Sequence, residues 1–210
     1  MLGTALLVSV AVIGAPSASA AKKSVCVAAN DDVRHQSGTA SCEAFGTGSI
    51  ALAVGEDSTA TAAGGNRNKA RVIGDDSSAE AGTALGIGEG DGNTAFVRGD
   101  DSDAIAGRGD NNTATVNGDG SSAQAGDGNN NTATVNGDGS SAASFLGDNN
   151  TATVNGDGSD ADAALGDNNT ATVNGDGSEA IAAVGDNNTA TATSDGCTAI
   201  AAGGGATDSC

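Results

Sequence analysis

The fold of this chain is decided by a nineteen-residue stretch, GDNNTATVNGDGSDADAAL, which runs from Gly147 to Leu165. A constant period of this length is typical of repeat proteins whose coils stack on one another. We therefore predict six regular coils between residues 90 and 203. The same phrase, with small changes, starts six times at a constant step of nineteen residues, at Gly90, Gly109, Gly128, Gly147, Gly166 and Gly185.

Each repeat has two arms in which small apolar residues alternate with polar ones. In the coil that starts at Gly109, Ala114 and Val116 alternate with Thr113 and Thr115. A two-residue period is that of a β-strand with one buried face, and the Gly, Asn and Asp residues between the arms tolerate the positive φ of turns. The sequence predicts an all-β fold, a single β-solenoid (β-roll) of two-stranded coils with about 19 residues per coil and a thin Ala/Val core.

The composition supports a thin core and an acidic exterior. The chain has 34 Gly, three Phe, no Trp and no Tyr, so large side chains cannot fill a wide interior. Low hydrophobicity with a net charge of −19 is otherwise typical of disorder, but stacked coils need only small interior residues. Nucleic acids and anionic membranes attract clustered Lys and Arg, so we expect neither a nucleic-acid partner nor membrane insertion.

The first twenty residues have the pattern of an export signal. Leu2 to Ala15 is an apolar or small run, and Ala18-Ser19-Ala20 is a small-residue cleavage pattern. The run is too short to span a bilayer. We predict a signal peptide over 1–20 and a secreted, extracellular protein.

The four cysteines mark the two ends of the mature chain. An even count in an exported protein indicates disulfides, and four cysteines allow three pairings. The spacing favours Cys26–Cys42 and Cys197–Cys210, because solenoid ends expose strand edges that need caps. We predict disulfide caps over 21–45 and 197–210. Between the first cap and the regular coils, 46–89 reads as irregular repeats, of which 84–89 is either a bulged loop or a degenerate strand.

Stacking places equivalent residues about 4.8 Å apart, so the first arms present two parallel threonine rows. This pattern resembles the ice-binding face of β-solenoid antifreeze proteins, whose coils carry Thr-x-Thr, and the resemblance implies a face that orders water. The alternative is that Thr is simply a favourable residue for an exposed strand. The two rows share five coils and consist of Thr113, Thr115, Thr132, Thr134, Thr151, Thr153, Thr170, Thr172, Thr189 and Thr191.

Aspartates also recur once per coil, in the Gly-Asp turns. A column of carboxylates could recruit calcium, which would be the only cofactor of this chain. The alternative is that each Asp caps the backbone of its own turn. These turns resemble the calcium-stacked coils of repeat-in-toxin proteins only in their Gly-Asp pairs, since the motif GGxGxD is not present. The calcium candidates are Asp119, Asp138, Asp157 and Asp176.

The stretch from Gly48 to Ala62, GSIALAVGEDSTATA, resembles the head repeats of trimeric autotransporter adhesins. That family implies a left-handed β-roll, trimerisation and binding to host or matrix surfaces. No sequence motif groups a nucleophile, a base and an acid, and the only histidine, His35, lies in a polar stretch. We therefore expect a non-enzymatic structural or surface-interaction (adhesin-like) module, or alternatively an ice-binding protein. The expected partners are a second copy, a cell-surface or matrix component, or ice.

Overall fold

The computed structural model describes residues 24–82 and 90–210, and within these ranges all regular secondary structure is β-strand. The predicted signal peptide and the segment 84–89 lie outside the described residues. The strands are β1 (Val25–Ala29), β2 (Asp32–Ser37), β3 (Ser41–Ala44), β4 (Ile50–Val54), β5 (Thr59–Ala62), β6 (Lys69–Ile73), β7 (Ser78–Ala81), β8 (Thr94–Arg98), β9 (Asp103–Ala106), β10 (Thr113–Asn117), β11 (Ser122–Gly126), β12 (Thr132–Val135), β13 (Ser141–Phe145), β14 (Thr151–Val154), β15 (Asp160–Ala164), β16 (Thr170–Val173), β17 (Glu179–Ala183), β18 (Thr189–Ala192), β19 (Thr198–Ala202) and β20 (Thr207–Ser209).

The strands form two sheets, and each coil contributes one strand to each. Sheet A has the order β2-β1-β4-β6-β8-β10-β12-β14-β16-β18-β20, and sheet B has the order β19-β17-β15-β13-β11-β9-β7-β5-β3. In both sheets neighbouring coils pair in parallel and in register, as with Thr113 and Thr132. The antiparallel pairs among the described strands are those of β1 with β2 and with β4. The predicted all-β solenoid of about nineteen residues per coil is confirmed.

The core is a narrow stack of small side chains between the two sheets. Ala114 and Val116 of β10 are fully buried, and so is Ala125 of β11. The same inward positions hold Ala or Val in almost every coil, and the outward positions alternate with them. The predicted thin Ala/Val core is therefore confirmed.

A buried asparagine closes one corner of each regular coil. Asn112 donates from Nδ2 to the carbonyl oxygen of Gly128 at 2.8 Å, and its Oδ1 accepts the backbone N–H of Asn131 at 2.9 Å. Each side chain thus joins its own coil to the next, and its polar atoms are satisfied without water. The buried column is Asn68, Asn93, Asn112, Asn131, Asn150, Asn169 and Asn188.

A buried serine does the same at the opposite corner. The hydroxyl of Ser121 donates to the carbonyl oxygen of Gly137 at 2.7 Å and accepts the backbone N–H of Ser140 at 3.2 Å. Cys197 takes this place in the last coil, where its N–H donates to Ser178 Oγ. Neither column was predicted to be buried, because polar residues beside turns usually face solvent.

Two different constraints explain why the Gly-Asp turns contain glycine. Gly120 has a φ of 61°, which a residue with Cβ adopts only with strain. Gly118 is different, because a Cβ there would collide with the carbonyl oxygen of Gly137 in the next coil. Close stacking of the coils therefore requires Gly118, whereas positive φ alone had been expected to explain the turn.

Both predicted disulfides are present, and each lies at one end of the stack. Cys26–Cys42 joins β1 to β3 within the core, and Cys197–Cys210 ties the chain end to the start of β19. In β20, Asp208 pairs in register with the core residue Ala190, and its Oδ2 accepts the backbone N–H of Ile200 at 2.7 Å. The last strand of sheet A thus carries a carboxylate at the register position where the preceding coil has a buried alanine.

Candidate interaction faces

The predicted threonine rows lie side by side on the outer face of sheet A. Strands β10, β12, β14, β16 and β18 pair in register, so each Thr lies beside the equivalent Thr of the next coil. All ten side chains are half-buried, since each is partly covered by its neighbours in the row. The structure thus brings together Thr113, Thr115, Thr132, Thr134, Thr151, Thr153, Thr170, Thr172, Thr189 and Thr191.

An asparagine row runs beside the threonine rows and was not predicted. Asn117 donates from Nδ2 to Oδ1 of Asn136 at 2.9 Å, and the pattern continues through Asn155 to Asn174 at 2.8 Å per step. These side chains are exposed. The signal was available in the sequence, because Asn117 follows Thr113 and Thr115 at the same two-residue spacing. We name the threonine and asparagine rows together the Thr-Asn strip.

The amino-terminal part of the same face is cationic and apolar. Lys69 and Arg71 point outward from β6, and Arg98 points outward from β8. The guanidinium of Arg71 lies 5.5 Å from the ring centroid of Phe96, a cation–π arrangement. On β4 the outward residues are apolar, and Ile50 is half exposed. We name Lys69, Arg71 and Arg98 the basic patch.

The outer faces of the two sheets differ in charge. Leaving out the edge strand β2, which carries the exposed Asp32, the described outward positions of sheet A from β1 to β18 hold no carboxylate, although the chain has 27 Asp and Glu residues. The described outward positions of sheet B hold no Lys or Arg. They carry instead Glu43, Glu80, Asp103, Asp160, Asp162 and Glu179.

Burial raises the pKa of two carboxylates on sheet B. Burial raises the pKa of Asp162, and the nearby charges of Asp160 and Glu179 raise it further. Burial also raises the pKa of Asp103, although a hydrogen bond with Ser78 opposes the shift. One oxygen of Asp160, Oδ1, is buried and has no hydrogen-bond partner among the described residues.

The aspartates of the turns act between coils. Asp119 Oδ1 accepts the backbone N–H of Asp100 at 2.9 Å, and Asp138 Oδ1 accepts that of Asp119 at the same distance. Asp157 and Asp176 repeat the arrangement. The alternative that each carboxylate caps its own turn is therefore wrong, because the donor belongs to the preceding coil. At this spacing a carboxylate reaches the neighbouring turn more easily than its own.

The calcium candidates Asp119, Asp138, Asp157 and Asp176 form one column along a corner of the solenoid. In each of them, one carboxylate oxygen accepts a hydrogen bond from a backbone N–H. Across the described ranges, no group of three or more His, Cys, Asp or Glu residues is arranged to hold a metal ion. Calcium binding stays a prediction that the geometry does not favour.

A shallow depression of about 250 Å³ lies on sheet B, between β9 and β11 and the corner that follows them. The depression is open because Gly107 and Gly126 have no side chains to fill it, and Ile105 and Gln124 line one side of it. At its rim Arg108 forms an exposed ion pair with Asp127 at 3.3 Å. His35, the only histidine, lies exposed on β2 at the far end of the molecule.

In later coils, three exposed apolar residues lie at the same corner. Leu146, Leu165 and Val184 have φ values of 58°, 57° and 57°, and they are 46%, 51% and 60% exposed. Positive φ is strained for residues with Cβ, most of all for the β-branched Val184. This strain could not be predicted from the sequence, because the preceding strand pattern continues through these positions.

Among the described residues, no helix is long and apolar enough to cross a membrane. Comparison of the chain with family models, with curated proteins and with solved structures gives no match.

Proposed function

We propose that the chain is an exported, non-enzymatic repeat module that interacts with other surfaces, in the manner of an adhesin, through the outer face of sheet A. The observation that carries the proposal is the lack of any carboxylate on that face from β1 to β18, the edge strand β2 left out, in a chain of net charge −19. Interfaces typically exclude charge from their centre. A face without carboxylates can approach an acidic surface, including another molecule of this acidic chain, without repulsion between carboxylates.

The chemistry of the face supports contact rather than catalysis. The Thr-Asn strip offers hydroxyl and amide groups at regular intervals of about 4.8 Å on a rigid sheet. Its Asn side chains are held in fixed orientations by their mutual hydrogen bonds. Rigid, preorganised groups lose little entropy on binding. Reactions usually need enclosed pockets, and the depression on sheet B is shallow.

The test places carboxylates on one face at a time. In a Thr134→Glu/Thr153→Glu/Thr172→Glu variant, we expect saturable binding to cells or extracellular matrix to weaken at least about tenfold, because like charge and desolvation oppose contact. The matched control, Ser122→Glu/Ser141→Glu/Thr198→Glu, puts the same number of carboxylates on the outer face of sheet B and should bind as the wild type does. Lack of saturable binding by the wild type across a broad panel of cells and matrices contradicts the proposal.

The second candidate function is ice binding through the same strip. It is favoured by the in-register stacking of ten threonines over five coils, which gives two straight rows of methyl and hydroxyl groups. The wild type should then show thermal hysteresis and inhibit ice recrystallisation. Thr153→Tyr should abolish most of this activity because the ring interrupts a row, whereas Ser141→Tyr on sheet B should not. A wild type without either activity removes this candidate.

A further inference from the structure

The two outer faces of the solenoid are complementary in charge, and both are exposed in the same molecule. We propose that copies of the chain stack face to face, with the outer face of sheet A of one copy against the outer face of sheet B of the next. The inference rests on the proposed function, because it names a second copy of the chain as a partner for the sheet A face. Such a contact is heterologous and does not close on itself, so it generates open stacks.

The cationic side of the contact is compact. Lys69 and Arg71 lie two residues apart on β6, and Arg98 lies on the adjacent strand β8. All three are exposed. The ion pair found among the described residues joins Arg108 and Asp127, so no carboxylate there pairs with the basic patch. These cations are therefore available to an opposing surface.

The acidic side of the contact has two groups of carboxylates. Glu80 on β7 and Asp103 on β9 belong to the same two coils as the basic patch. Asp160, Asp162 and Glu179 lie on β15 and β17, toward the other end. Burial and, to a lesser extent, the charges of Asp160 and Glu179 raise the pKa of Asp162, and a cation that approaches this second group offsets the repulsion among the three carboxylates.

Either group can meet the basic patch. The strands from β4 to β19 form eight successive coils, of which β6/β7 is the second and β16/β17 is the second from the end. Stacked with axes in the same direction, the copies place Lys69 and Arg71 opposite Glu80. With axes in opposite directions, the same residues lie opposite Glu179. The charge pattern thus supports stacking in both directions, and an experiment can decide between them.

The contact area suits a weak but specific association. At about 4.8 Å per coil and about 3.3 Å per strand residue, each face measures roughly 38 Å by 16 Å. Two such faces bury about 1,200 Å² together, at the lower end for specific complexes. The Asp columns of the turns lie at the edges of these faces, where salt screens their repulsion over about 8 Å.

A second copy fits these observations better than a free polyanion does. Its sheet B offers carboxylates on a flat surface of matching length, and it offers no cations to repel the basic patch. A free polyanion extending beyond the patch would meet the Asp columns along both sides of sheet A. The polyanion would then face like-charge repulsion from those columns.

The direct test is sedimentation velocity of the full chain, exported with both disulfides formed, at about 10 µM to 1 mM. We expect concentration-dependent association of the wild type. Lys69→Glu/Arg71→Glu should lower the association constant at least about tenfold. The control Arg34→Glu/Arg108→Glu changes net charge equally but lies off the basic patch, and it should associate as the wild type does. A wild type that stays monomeric, or equal weakening by both variants, overturns the proposal.

A charge-exchange experiment provides a second test and shows in which direction the copies stack. The Lys69→Glu/Arg71→Glu variant is mixed with Glu80→Lys/Asp103→Lys, or separately with Asp160→Lys/Glu179→Lys. Restored association in the first mixture supports stacking in the same direction, and in the second mixture stacking in the opposite direction. Restoration in neither mixture overturns the proposal.

Two outcomes separate this inference from the proposed function. A monomeric wild type that binds heparin through Lys69 and Arg71 overturns stacking and makes a polyanion the partner. A monomeric wild type whose binding to cells or matrix is still lost in the Thr134→Glu/Thr153→Glu/Thr172→Glu variant also overturns stacking, while the proposed function stands.

Discussion

Sheet A and sheet B are built from the same coils, yet their outer faces differ. Inward, both sheets carry small residues such as Ala152 and Ala161, both fully buried. Outward, the Thr-Asn strip of sheet A repeats, whereas sheet B changes from Ser122 to Asp160 to Glu179 at one register position. Because sheet B folds with several residue types there, the coil does not require a uniform outer face. Folding of the coil therefore does not by itself require the uniform Thr-Asn strip.

The largest expected effect is a loss of stability on substitution of the buried asparagines that join successive coils at one corner. Asn150→Ala removes a fully buried side chain and leaves the carbonyl oxygen of Gly166 and the N–H of Asn169 without partners. We expect a loss of about 3–5 kcal/mol in the free energy of unfolding, since buried unpaired groups are costly. Chemical denaturation measures it.

The matched control for the corner is Asn155→Ala, which removes an exposed amide of the Thr-Asn strip and should cost about 0.5 kcal/mol or less. Equal losses in the two variants would mean that the strip is part of the stabilising framework, and the distinction between interior and outer face would fail.

The next effect compares the interiors of the two sheets. Ala152→Leu and Ala161→Leu each add a large side chain to a fully buried position, in β14 and β15 respectively. Because the thin core has no space for it, each should lower stability by about 1–3 kcal/mol. Thermal melting measures both. A variant that melts like the wild type would contradict a tightly stacked core on that sheet.

A smaller effect of opposite sign is expected at the corner beside sheet B. Leu165 is half exposed and has a φ of 57°, a conformation that Asn adopts with less strain. Leu165→Asn should therefore raise the free energy of unfolding by about 0.5–1 kcal/mol. Leu165→Ala is the control, since it removes the apolar surface but keeps Cβ, and it should not stabilise. A loss of stability in Leu165→Asn would show that the apolar contacts of Leu165 stabilise the fold by more than its positive φ costs.

The smallest effect tests the crowded carboxylates of sheet B. The pKa of Asp162 is raised in the folded state, so ionisation of this carboxyl opposes folding. The contribution of Asp162 to the free energy of unfolding is therefore fully present below the ordinary pKa of 3.8 and is lost as the pH rises through the folded-state pKa. Asp162→Asn should be more stable than the wild type at pH 7, by about 0.5 kcal/mol after solvent screening.

The difference between Asp162→Asn and the wild type should vanish near pH 3. Melting curves across this range measure it. A difference that is the same at both pH values would assign the effect to packing instead of charge.

The period and the alternation of small residues were sufficient to predict the fold. Ala114 and Val116 at two-residue spacing identify the buried face of a strand, and the cysteines at the ends identify the caps. The roles of Asn112 and Ser121 could not be predicted, because burial depends on where the carbonyls of the next coil lie. The partner of Asp119 was missed for the same reason: an aspartate in a turn has local donors in the sequence, and the neighbouring coil supplies a closer one only after stacking.

The candidate face was predicted in part. The threonine rows follow from register alone, and their ten members lie where the spacing places them. The charge difference between the faces was not predicted, because it requires each carboxylate to be assigned to a sheet, an outer face or a corner. Asp103 and Asp119 look alike in sequence, yet one lies on sheet B and the other at a turn.

The central claim is that the outer face of sheet A serves interaction while the interior serves folding. Thr134→Glu and Ser141→Glu place the same carboxylate on the two faces, on β12 and on β13. The most direct measurement determines, for both variants, the free energy of unfolding and the affinity for the cells or matrix that the wild type binds. We expect stabilities within about 1 kcal/mol of the wild type for both variants and weakened binding for Thr134→Glu alone. Equal binding by the two variants would contradict it.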